Sequence, residues 1–105
     1  MTKFSDFIKN IRLKNALTQT QFAAKLDIDT SALSKIENGK RYFPCDRLLK
    51  LCDLFNLDYN DVNSEYFSEK IAYEIFANNC SETILNLTKD KFEYLKNNQS
   101  NIRNQ

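Results

Sequence analysis

The chain of 105 residues predicts an all-α fold, and three observations carry that expectation. A single glycine and a single proline leave few of the tight turns that a sheet of antiparallel strands needs. Apolar residues recur three and four apart through most of the chain, with good helix formers such as Leu, Lys, Glu and Ala between them. Short runs of Asn, Asp, Ser and Thr, residues that cap and stop helices, separate these segments.

In FSDFIKNIRLKN the residues Phe4, Phe7, Ile8 and Ile11 share one helical face, and Ser5 or Thr2 can cap the start. A second helix begins at TQTQFAAKL. Thr18 and Gln21 stand at the spacing of a capping box, in which the hydroxyl accepts from a backbone N–H one turn in and the amide reaches back. Phe22, Ala23 and Leu26 point inward, and the helix breaks at Asp27-Ile28-Asp29. Asp29 or Thr30 opens a third helix, with Leu33 and Ile36 on one face and Ser31, Ser34, Lys35 and Asn38 on the other. Gly39 stops it, because glycine takes the left-handed conformation without steric cost.

After Tyr-Phe-Pro, Asp46 leads into RLLKLCDLF, where Leu48, Leu49, Leu51, Cys52, Leu54 and Phe55 are apolar on most sides and predict the most buried helix. A longer helix from Asn60 or Asp61 carries Val62, Tyr66, Phe67, Ile71, Ile75 and Phe76, and Asn78-Asn79 breaks it. Ser81 and Glu82 start a last helix with Ile84, Leu85, Leu87, Phe92 and Leu95, and residues 98–105 read as a disordered polar tail.

Composition narrows function. Histidine is absent, which removes the commonest general base and most Ser/His or Cys/His nucleophiles, so an enzyme is not expected and no cofactor is called for. Cys45, Cys52 and Cys80 form an odd set without Cys-x-x-Cys spacing, so no metal site is expected and the thiols read as reduced in a cytoplasmic setting. No leader-like or membrane-spanning stretch stands out, so a soluble protein with no membrane partner is expected. Residues 1–58 hold 10 basic and 7 acidic side chains, residues 59–105 hold 5 and 7, and the first half is the better match for an anionic partner.

Two helices joined by three residues, the second short and polar outside, form a helix-turn-helix, whose second helix enters the major groove of DNA. The stretch LTQTQFAAKLDIDTSALSKIENGKR resembles the DNA-binding segment of the Cro and phage-repressor family of bacterial regulators. The resemblance rests on Leu17-Thr18-Gln19, Phe22-Ala23, Leu26, Ile28, Leu33-Ser34, Ile36-Glu37, Asn38-Gly39 and LLKLCDLFNLD, and it covers residues 4 to about 58. It implies a five-helix domain, here 1–58, whose third helix reads double-stranded DNA. By position, the resemblance puts Thr30, Ser31, Ser34 and Lys35 at base edges, and Gln19, Asn38, Lys40 and Arg41 at phosphates. It also implies that Arg12 pairs with Glu37 to fix the angle between the first and third helices. The family often has Gly where Asp27 stands, and the third helix lacks long bidentate readers at its start, so discrimination is expected to lean on Lys35, water and DNA shape.

Residues 59–97 carry more apolar surface than a domain of 58 residues can cover, which predicts a helical dimerisation extension. Tyr66, Phe67, Ile71, Ile75, Phe76 and Leu85 are its expected contacts in a homodimer. Two-fold symmetry would then set two recognition helices roughly 34 Å apart on a pseudo-palindromic operator. The expected protein is a cytoplasmic transcriptional regulator, bacterial or phage-encoded. Its build is similar to that of restriction–modification controller proteins, the preferred subtype, and also to phage repressors and antitoxins. The alternative is an antitoxin whose residues 60–105 wrap a toxin while the first half regulates its own gene.

Overall fold

The structure, a computed structural model, describes residues 3–99, and among these it contains α-helices, a single 3₁₀ turn and no strand. The helices are α1 (Phe4–Lys14), α2 (Gln19–Leu26), α3 (Thr30–Glu37), α4 (Leu48–Phe55), α5 (Tyr59–Ala77) and α6 (Thr83–Asn97), with the 3₁₀ turn at Cys45–Arg47. The all-α expectation holds. The chain divides after Ile71 into two compact units.

The first unit is built around one core. Phe4, Ile8 and Ile11 of α1 meet Phe22, Ala23 and Leu26 of α2, Leu33 and Ile36 of α3, and Leu48, Leu51 and Cys52 of α4. Phe43 enters from the loop before the 3₁₀ turn, and Val62 and Tyr66 enter from α5. Ring pairs lock the two ends: Phe4 lies edge-on to Tyr66 at 5.1 Å, and Phe22 lies edge-on to Phe55 at 5.5 Å. Because Val62 and Tyr66 belong to this core, the boundary expected after residue 58 moves to the far side of Ile71.

Three local readings change. Ser5 lies inside α1 and does not cap it, and the cap expected of Thr2 falls outside the described residues; the Phe4 N–H donates to both carboxylate oxygens of Glu69 at 3.2 Å. In α4 only one side is covered: Leu48, Leu51 and Cys52 are buried, while Leu49 and Leu54 are 57% and 43% exposed. At 3.6 residues per turn those two leucines fall away from the face that meets the core, so the helix is not apolar-buried on most sides. Helix α5 starts at Tyr59, before Asn60 and Asp61, and Asp58 Oδ1 accepts the Asp61 N–H at 3.0 Å.

With one glycine available, the chain ends its helices by placing other residues in the left-handed region. Ala16, Asp27, Asn56 and Asn79 have φ of 54°, 56°, 54° and 53°, and Gly39 has 74°. After α1, α2, α3 and the end of α5 the next N–H reaches back to the carbonyl five residues earlier, as in Leu17 to Arg12, Ile28 to Ala23, Lys40 to Lys35 and Cys80 to Ile75. Each pattern closes the helix with its last carbonyls satisfied. A Cβ at Gly39 would find only Ser5 Oγ, at 3.8 Å, so conformation rather than space makes glycine the fitting residue there.

The second unit runs from the end of α5 through a turn into α6. Asn78 donates its side-chain amide to the Glu74 carbonyl at 2.8 Å, Asn79 takes the left-handed turn, and Ser81 Oγ accepts the Thr83 N–H at 3.1 Å. Asn98 closes α6 by donating to the Tyr94 carbonyl at 2.9 Å; of the tail expected at 98–105, residues from 100 onward lie outside the described residues. No residue of α6 is buried. Phe76 is 81% exposed and Tyr94 64%.

Candidate nucleic-acid interface

The capping box that opens α2 is complete: Thr18 Oγ1 accepts the Gln21 N–H at 3.1 Å and Gln21 Oε1 accepts the Thr18 N–H at 2.9 Å. Asp27 then supplies the left-handed stop, with ψ of 48°, and the turn to α3 is made as expected for an aspartate in that role. A residue from outside the motif holds this turn. Arg47 donates from Nε to the Leu26 carbonyl at 3.1 Å, while its Nη2 lies 3.8 Å from the Asp27 carboxylate.

Helix α3 is two-faced. Leu33, Ile36 and Glu37 are buried, and at roughly 100° per residue Ser31, Lys35 and Asn38 fall opposite them with Ser34 at the flank. Thr30, Ser31, Lys35 and Asn38 are exposed and Ser34 is half-buried. Asp29 precedes the helix in extended conformation and makes no side-chain cap, so the first-turn N–H groups of α3 have no intrahelical or side-chain partner.

The orientation of α3 is set by a buried polar network. Arg12 of α1 grips Glu37 with two nearly parallel bonds, Nε to Oε2 at 2.8 Å and Nη2 to Oε1 at 2.9 Å, and its third nitrogen donates to the Leu17 carbonyl at 3.1 Å. Glu37 also accepts from Gln19 Nε2 at 3.3 Å, so α1, α2 and α3 meet at one carboxylate. Side-chain exposure is 13% for Arg12 and 2% for Glu37. The bond to Glu37 raises the Arg12 pKa against the opposing effect of burial, so the guanidinium stays charged at any ordinary pH. A planar fork meeting a carboxylate this way fixes angle as well as distance.

Past the Gly39 stop, Lys40 and Arg41 are both exposed. The residues expected to meet DNA are therefore brought together along α3 and the loop after it, with Gln19 half-buried at the start of α2.

The helix-turn-helix family matches residues 8–62, just over half of the chain. The chain belongs to that family. It is 34% identical over 58 residues to antitoxin PezA of Streptococcus pneumoniae serotype 4, a stretch that is 55% of this chain and 37% of that protein. The chain thus spans little more than a third of the length of this curated relative. Its fold is similar to a chain of the SinR protein/SinI protein complex, with a TM-score of 0.51 over 90% of this chain and 99% of that one, at 19% identity.

Within this helix-turn-helix unit, sequence reasoning misses Arg47, Tyr66 and Glu69. Arg47 reaches a carbonyl 21 residues away and Glu69 an N–H 65 residues away. A main-chain partner has no residue identity to be recognised by, which is why periodicity is blind to both. Tyr66 also leaves the set expected at a dimer contact: it is 3% exposed, and its hydroxyl donates to the Phe43 carbonyl. Phe67, Ile71 and Ile75 lie along α5 at 38% exposed, 52% exposed and half-buried, and Phe76 and Leu85 are exposed at 81% and 59%.

Proposed function

We propose that the protein is a sequence-specific DNA-binding transcriptional regulator that inserts α3 into the major groove and acts as a homodimer on a two-fold operator. The observation that carries this reading is the two-faced α3, held through Glu37 by α1 and α2, with its polar side outward and Lys40 and Arg41 just beyond its end. Thr30, Ser31, Ser34 and Lys35 read base edges: hydroxyls donate to or accept from several bases, and Lys35 suits guanine O6 and N7. Lys40 and Arg41 neutralise phosphates whatever the sequence, and Asn38 and Gln19 position the helix. Gln19 has two amide hydrogens, so it can brace Glu37 with one and offer the other to a phosphate.

Dimerisation falls to the apolar side chains of α5 and α6, with Phe67, Ile71, Ile75, Phe76 and Leu85 among them. In the second unit Tyr73, Phe76, Leu85, Leu87, Phe92, Tyr94 and Leu95 are each at least 41% exposed. Together they offer an area on the order of the ~800 Å² per partner of a standard interface. A second copy of the same apolar surface is an occupant of matching size.

The test is binding to DNA from upstream of the protein's own gene across a salt series. Affinity is expected to fall steeply, with a slope near −0.9 per phosphate neutralised; no footprint, or affinity indifferent to salt, defeats the reading. Light scattering is expected to give the dimer mass, and a monomer at high concentration removes the dimer from it.

The relative named antitoxin PezA favours a second reading, in which residues 60–105 bind a toxin while the first half represses its own promoter. A toxin gene alongside supports this version. A methyltransferase and an endonuclease alongside would instead support the restriction–modification controller.

A further inference from the structure

From the bonds that join α5 to the loop after α3, we infer that Tyr66 and Lys70 are positioning residues for phosphate binding, acting through Lys40 and Arg41 without touching DNA. The inference rests on the DNA-binding reading above. The segment from Gly39 to Pro44 has no regular structure, yet it is pinned at both ends. At the front, the Lys40 N–H donates to the Lys35 carbonyl at 2.9 Å across the Gly39 stop. At the back, Phe43 is 2% exposed in the core and its carbonyl accepts the Tyr66 hydroxyl. Between these anchors the Lys70 ammonium sits 5.0 Å from the centre of the Tyr42 ring and 5.7 Å from that of Tyr66.

The two anchors enclose Lys40 and Arg41, which are exposed. A loop fixed at its stem presents its cations without the ordering cost that a free loop incurs on binding. Among the described residues the Tyr66 hydroxyl is the donor to the Phe43 carbonyl, so α5 helps to set where the back end of the loop lies. The ammonium of Lys70 lies against ring faces, and its role is to hold Tyr42 against α5.

The experiment is a double-mutant cycle on the full chain, read by binding to a labelled duplex of mixed sequence, which reports phosphate contacts alone. Tyr66→Phe keeps the ring in the core and removes only the hydroxyl. It is expected to weaken binding roughly three- to tenfold in the wild-type background and by less than about twofold in Lys40→Ala/Arg41→Ala, where there is no cation left to position. An equal loss in both backgrounds, or no loss in the wild type, overturns the inference. Lys70→Gln runs through the same cycle and covers the case in which Tyr66→Phe does not fold. If Lys70 met a phosphate directly, its loss would persist in the double-alanine background. Wild-type protein that shows no salt-dependent binding would strike the DNA-binding reading itself, a result separate from any outcome of the cycle.

Discussion

Residues before and after Ile71 use the same amphipathic helices and put their apolar side chains to opposite use. Every buried hydrophobic residue among those described lies at or before Tyr66, whereas in the second unit Phe76, Leu85, Phe92 and Tyr94 are each more than half exposed. The first unit has a core that repays the ordering of its chain; the described residues of the second unit form none. The difference teaches that a helical apolar stripe announces a face to be covered and is silent on what covers it.

Cutting the chain at different points gives the largest effect. A chain ending after Asp58 loses Val62, Tyr66 and the Glu69 cap on α1, and is expected not to fold cooperatively in thermal melts by circular dichroism. A chain ending after Asn79 keeps all of α5 and is expected to melt as one unit, with self-association weakened in light scattering by the loss of Leu85 and the other apolar side chains of α6. Equal behaviour of the two would erase the boundary at Ile71.

Next comes Glu37→Ala, which leaves Arg12 charged with little solvent around it and strips Gln19 of its bond to the carboxylate. A loss of about 3–5 kcal/mol in urea denaturation is expected, and an unchanged midpoint would show that the pair does not hold the three helices.

Alkaline stability sharpens the contrast from another side. Burial raises the pKa of Cys52 above 9.0 and of Tyr66 above 10.0, with nearby Asp53 and Cys45 respectively adding to the shift. For a group raised in the folded state, the stabilisation is complete below the unfolded value and is lost as pH rises through the folded one. Stability is therefore expected to hold up to the ordinary thiol range, about pH 8.5, and decline beyond it. Exposed Cys45 and Cys80 should react with a thiol reagent well before Cys52, and equal rates for all three would contradict the core.

Ala16→Gly relieves a left-handed alanine and is expected to stabilise the first unit by about 1 kcal/mol, read as a raised denaturation midpoint. The smallest effect on folding is expected for Phe92→Ala, within about 0.5 kcal/mol when the protein is dilute, against about 3–5 for Phe22→Ala. At high concentration Phe92→Ala is expected instead to weaken the proposed dimer, read as a lower mass in light scattering.

Much of the helix-turn-helix was legible because its signals are local. Thr18 and Gln21 spell a cap within one turn, Gly39 marks a stop, and Leu33 and Ile36 set the inward face of α3. The Arg12–Glu37 pair was legible only through family resemblance, since no periodicity joins positions 25 apart. Leu49 and Leu54 misled because hydrophobicity records a preference for burial, while packing on one side of α4 decides which leucines obtain it. Tyr66 misled in the reverse direction: as one aromatic in a row along α5 it looked like surplus surface, but a carbonyl in a distant loop had drawn it inward.

The framing of α3 by two left-handed stops, Asp27 before it and Gly39 after it, bears on how such a molecule can diversify. Everything that folds the helix, namely Leu33, Ile36 and Glu37, faces one way, and Ser31 and Lys35 contribute nothing to the core. The outward positions form a cassette whose letters can be rewritten with little effect on stability, so that, on the proposed DNA-binding reading, the recognised sequence could change while the scaffold stays constant.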